Sequence, residues 1–157
     1  MLSNPAGGLK FFLGKAFARA GGEQARYGEI ACKALDACIE EYGSYEELLK
    51  QEDAPDIVWR RFVEGCKPKG VNERLNKGVV IGLVGLAKRS HEESANLLLF
   101  FRSKIEKYVP DAFILLRKIK GIGDKIAAFI LRDVVTVLSL EEKIPRQHQV
   151  FLQPVDR

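Results

Sequence analysis

The chain has 157 residues, 46% of them hydrophobic and 29% charged, with a net charge of +4 at pH 7, the size of one domain able to bury a core without disulfide or metal staples. These proportions exclude a disordered chain. The longest apolar run, Val79 to Ala87, carries two glycines and is too short to cross a bilayer, and no signal core opens the sequence, so the reading is a cytoplasmic domain, nucleoid-associated in a prokaryote, with no membrane partner.

Nearly every segment has helical periodicity and none has sustained period-two alternation, which predicts an all-α helical bundle or barrel of about eight helices in one domain over residues 1–157. Leu9 to Arg19 reads as a short amphipathic helix broken at Gly21-Gly22. A second runs from about Glu23 to Tyr42, with Tyr27, Ala31, Ala34, Leu35, Cys38 and Tyr42 on its inner face and Gly43 as its stop. Ser44 to Glu47 reads as a capping box for a brief helix ending near Lys50.

Pro55 to Glu64 presents Ile57, Val58, Phe62 and Val63 to a core, with Trp59 at its edge. Asn72 to Lys88 reads as the central buried helix, its Gly78, Gly82 and Gly85 requiring close packing to recover their cost in helix stability. Ser90 to Glu93 reads as a second capping box, with His91 in solvent, for a helix that ends before Pro110. The cysteines Cys32, Cys38 and Cys66 are odd in number and lack C-x-x-C spacing, the pattern of buried thiols in a reducing compartment. The aromatics Trp59, Phe101 and Tyr108 read as core in preference to stacking platforms.

Charge is uneven. Residues 1–66 carry 8 Lys and Arg against 11 Asp and Glu, while residues 67–157 carry 17 against 10, so the pI near 9.0 comes from the second half, as a polyanionic partner would favour. That half contains two short helices, Asp111 to Lys118 and a second from Asp124 with Ile126, Ile130, Val134 and Val137 as its buried stripe, joined through Ile119-Lys120-Gly121-Ile122-Gly123. Glycines on either side of Ile122 allow a sharp turn and leave amides at the next helix's N-terminus to bind an anion. Ile122 is expected to pin the turn between the helices, with Lys118, Lys120 and Lys125 adding positive charge and Asp124 cutting against it or helping to cap the helix. The simpler reading is a turn that only links two helices.

The stretch Ile119 to Ala127, with small Ala127 and Ala128 for tight packing, resembles the hairpin of the helix-hairpin-helix DNA glycosylase superfamily, the group of endonuclease III and the oxidised-guanine glycosylases; Lys120 stands where proline is frequent. Gln153-Pro-Val-Asp-Arg157 resembles the segment that supplies that family's catalytic aspartate. The resemblance implies a base-excision repair glycosylase acting on duplex DNA with a damaged base, as a monomer without cofactor or metal. Its phosphate site is Lys120, Gly121, Ile122, Gly123 and Lys125, and its catalytic pair is Lys125 and Asp156.

A lysine amine activated by burial or nearby positive charge can attack the sugar C1′, expel the base and form a Schiff base that undergoes elimination, giving AP lyase activity. Asp156 would stabilise positive charge developing on the sugar or help activate the nucleophile, with the target nucleotide flipped out of the duplex. The alternatives are a non-catalytic DNA-binding module, with Lys125 a phosphate contact and Asp156 a helix cap, and, third, a helical protein-interaction domain. Lys125 and Asp156 lie 31 positions apart, longer than the family usually has. The extra length falls around Glu141 to Phe151, where Arg146, Gln147, His148 and Gln149 read as solvated surface, with a base or phosphate contact as the alternative. Because family members continue past this aspartate, the chain reads as C-terminally shortened, with Phe11, Phe12 and Phe17 expected to lack part of their partner surface.

Overall fold

A computed structural model describes residues 2–18 and 23–154, and among them the chain is all-helical. Eight α-helices are present among the described residues: α1 (Pro5–Phe17), α2 (Glu23–Tyr42), α3 (Tyr45–Lys50), α4 (Ala54–Gly65), α5 (Glu73–Ser90), α6 (Leu97–Lys107), α7 (Val109–Arg117) and α8 (Asp124–Val137). Two 3-10 turns follow, η1 (Glu141–Lys143) and η2 (Arg146–Leu152). The expected break at Gly21-Gly22 lies outside the described residues, and α1 runs from Pro5 to Phe17, where the sequence predicted Leu9 to Arg19.

The helices start where local side chains take up their first amides. Asn4 caps α1 and Asn72 caps α5, each accepting a backbone N–H. Ser44 Oγ accepts the Glu47 amide at 3.0 Å to start α3, but the Glu47 carboxylate turns outward to Lys50 at 3.0 Å, so the box is half made. At Ser90 the expected start fails. The Ser90 side chain is buried and its hydroxyl donates back to the Ala87 carbonyl at 3.4 Å, so α5 runs to Ser90. Asn96 starts α6 instead: its Oδ1 accepts from Leu98 N at 2.9 Å, and its Nδ2 donates to the Leu2 and Asn4 carbonyls. Those long-range bonds tie α6 to the start of α1, a tertiary preference no local pattern carries. His91 is half-buried against the Tyr45 ring, with centroids 6.0 Å apart, and not out in solvent.

The core is built around α1, which shares the centre with α5 and packs on α2, α5, α6 and α8. Phe12 meets Phe101 with ring centroids 4.7 Å apart, and Phe17 stacks on Phe62 at 5.8 Å. Both are fully buried and Phe11 is half-buried, so α4 and α6 supply the partner surface the sequence reading expected them to lack. Trp59 is buried beside Phe62 and not at an edge. The α2 stripe through Tyr27, Ala31, Ala34, Leu35 and Cys38 is buried as its spacing predicts. On α8 the inward residues are Ile126, Ala127, Ile130, Leu131, Val134 and Val135, whereas Val137 is 41% exposed because the helix ends there and its last turn passes the edge of the core. Among the described residues no helix is long and apolar enough to cross a membrane.

Burial pushes the thiols of Cys32, Cys38 and Cys66 above the ordinary thiol range; all three are free. Lys10 partly offsets this at Cys32, as do Arg61 at Cys38 and Arg26 at Cys66.

Candidate nucleic-acid interface

The α7–α8 turn is built from short-range hydrogen bonds and one left-handed residue. Lys118 N donates to Ile114 O at 3.0 Å and Ile119 N to Leu116 O at 3.1 Å, winding down α7. Ile122 N then donates to Ile119 O at 3.0 Å across the bend. Gly121 sits at φ +98, where a side chain would be strained, so the first glycine of the pair has a conformational reason. Gly123 is extended, at φ −90 and ψ −177, and its carbonyl accepts from Ala127 N at 2.9 Å to begin α8. Being glycine, it brings no capping side chain to that helix start, and the first amides of a helix have no acceptor within the helix. The Asp124 carboxylate receives the Arg117 guanidinium.

Two apolar side chains fix the turn from below. Ile122 is 2% exposed and Ile119 7%, burial that stabilises by roughly 2 kcal/mol for a side chain of this size. The surface receiving Ile119 is α5. A Cβ added at Gly82 would lie 2.5 Å from Ile119 Cγ2, and one at Gly78 would lie 2.6 Å from the Lys120 carbonyl oxygen. Gly121 in turn approaches Val79, where an added Cβ would meet Cγ2 at 2.7 Å. The requirement that Gly78 and Gly82 pack closely is thus met, and the neighbour is the turn itself; Gly85 instead faces the Arg89 side chain of its own helix.

Lys118, Lys120 and Lys125 are all exposed around this turn. Ala127 and Ala128 are buried, small enough to let the two helices close on the bend. Asp156 lies outside the described residues.

After α8 the chain forms η1 and η2, with η2 packed on α7 and α8. Arg146 and Gln147 are exposed, while His148 and Gln149 are half-buried. The His148 ring lies edge-on to Tyr108 with centroids 5.2 Å apart, and Phe151 packs on Phe113 at 5.2 Å. This segment is partly packed, where the sequence reading expected solvated surface, because its aromatic residues find partners at Tyr108, just before α7, and at Phe113 on it.

The residue the sequence reading missed is Arg117. It ends α7 and reaches across the turn, Nη1 donating to the Ile122 carbonyl at 2.9 Å and Nε to the Asp124 carboxylate. An arginine seven positions before an aspartate, on opposite sides of a Gly-x-Gly turn, is the signal that could have found it.

Comparison with family models, with curated proteins and with solved structures finds no match to the chain.

Proposed function

We propose that the α7–α8 turn is a helix-hairpin-helix that grips a backbone phosphate of duplex DNA, and that the chain is a base-excision DNA glycosylase. The observation that carries this reading is the turn itself: Gly121 left-handed, Ile122 buried, and a helix start without a side-chain cap, ringed by Lys118, Lys120 and Lys125. Backbone donors at the positive end of a helix dipole, beside lysines, suit a phosphate oxygen. The glycosylase part rests on the resemblance of residues 119–127 and 153–157 to that superfamily.

In this mechanism Lys125 Nζ attacks C1′ of the flipped nucleotide, and the base leaves with the electrons of the glycosidic bond and takes up a proton. The resulting amine adduct opens to a Schiff base, and loss of a C2′ proton then expels the 3′ phosphate. Asp156 balances the positive charge on the sugar. A second reading, a module that only binds DNA, is favoured by the exposed side chain of Lys125, which suits a phosphate contact.

Borohydride trapping on duplexes with oxidised bases or abasic sites separates the two. A covalent adduct lost in Lys125→Gln supports the enzyme, and duplex binding without an adduct leaves the binding module. The salt dependence of binding tests both readings: affinity should fall steeply as salt rises, and absence of binding at low salt defeats them together.

A further inference from the structure

The guanidinium of Arg117 spans the turn that the proposed function assigns to phosphate, joining the Ile122 carbonyl at 2.9 Å to the Asp124 carboxylate. Resting on that reading, we propose that Arg117 is a positioning residue for DNA binding: it fixes the turn and neutralises Asp124, so that α8 offers a phosphate an anion-accepting start.

Asp124 poses the problem that Arg117 answers. An acidic residue in the first turn of a helix favours the helix, because its charge complements the dipole, but it places a negative charge where an incoming phosphate must sit. A cation held against that carboxylate removes the repulsion while leaving the helix start intact.

Arginine suits this position and lysine would not. Its planar fork sets two donors at a fixed separation, so one side chain reaches a backbone carbonyl and a carboxylate together, whereas a lysine ammonium is a single point of charge. The carbonyl it holds belongs to Ile122, whose side chain is buried beneath the turn. The turn is therefore held from below by packing and from the side by the guanidinium.

Exposure decides where the effect is felt. The Arg117 and Asp124 side chains are 42% and 38% exposed, and ion pairs that open to water contribute little to folding. Losing Arg117 should leave the fold in place and act on the charge and order of the turn.

The test is fluorescence anisotropy of a labelled duplex at graded salt, with Arg117→Gln, Asp124→Asn, the double variant and Arg117→Lys, each checked for native helical content and melting. Arg117→Gln is expected to weaken binding about tenfold with an unchanged salt slope, and the double variant to recover to within about threefold of wild type. Arg117→Lys should fall between Arg117→Gln and wild type, since it restores the charge and not the fork. If the double variant binds as poorly as Arg117→Gln, or if Arg117→Gln flattens the salt slope by about one as loss of a direct phosphate contact does, the positioning role is overturned while the phosphate reading stands. Wild-type protein that fails to bind at low salt overturns both. Should Arg117→Gln prove unfolded, the pair Arg117→Lys and Asp124→Asn decides the matter: Asp124→Asn must not weaken binding, and Arg117→Lys must.

Discussion

Replacing Gly78 by alanine is the sharpest test of how the turn is seated. In an ordinary helix interior this substitution stabilises by about 1 kcal/mol, because alanine has less backbone freedom to lose. At Gly78 the new Cβ would lie 2.6 Å from the Lys120 carbonyl oxygen and 2.8 Å from the Lys120 Cβ. The first of these is backbone, so the turn itself must move. Overpacking of this kind costs about 1–3 kcal/mol, and a collision with backbone belongs in the upper part of that range. The net expectation is destabilisation of about 1–2 kcal/mol, a fall in Tm of roughly 3–6 °C for a chain of this length. Gly14 provides the control: it lies within α1 and a Cβ there would meet nothing within 4 Å, so Gly14→Ala should raise Tm by about 2–4 °C. Thermal unfolding followed by circular dichroism reads both variants. A Gly78→Ala protein as stable as Gly14→Ala would refute the close approach of the turn to α5.

Ile122→Val should cost about 1 kcal/mol and Ile122→Ala about 3 kcal/mol, because the side chain is nearly fully buried; urea unfolding measures both, and a cost under about 0.5 kcal/mol for alanine would mean the side chain does not anchor the turn. The thiols supply a pH dependence. Cys32, Cys38 and Cys66 have folded-state pKa values raised by burial, so the folded chain favours the neutral thiol. Their contribution to stability is present below the unfolded thiol value of about 8.5 and is lost as pH rises through the raised folded values. Unfolding free energy should decline above about pH 9, more steeply than in a variant with all three replaced by alanine, and at pH 8 a thiol reagent should label the native chain slowly but all three sites after denaturation.

The sequence carried the fold class and much of the helix order because apolar residues at spacings of three and four report directly which face is buried, as at Tyr27, Ala31, Leu35 and Cys38. It carried the bend as well, since Gly121 and the aliphatic Ile122 are local requirements of a sharp turn. What it could not carry was decided by partners distant in the chain. Asn96 displaced Ser90 as a helix start because its amide reaches Leu2 and Asn4. The role of Arg117 was hidden for a different reason: its two acceptors, though near in the chain, adjoin it only once the turn has brought them back. The glycines of α5 were recognisable as a packing surface, but not as the seat of the α7–α8 turn.

That seat bears on the thermodynamics of binding. A loop that becomes ordered only around its ligand loses conformational entropy at that moment, about 1–2 kcal/mol for each residue fixed. Lys118 to Gly123 have met this cost during folding, through contact with Gly78, Gly82 and Val79 and through the buried Ile119 and Ile122. Under the proposed phosphate reading, an arriving anion would find its donors already aimed, and affinity would be governed by charge and desolvation, with little drawn off to organise the protein.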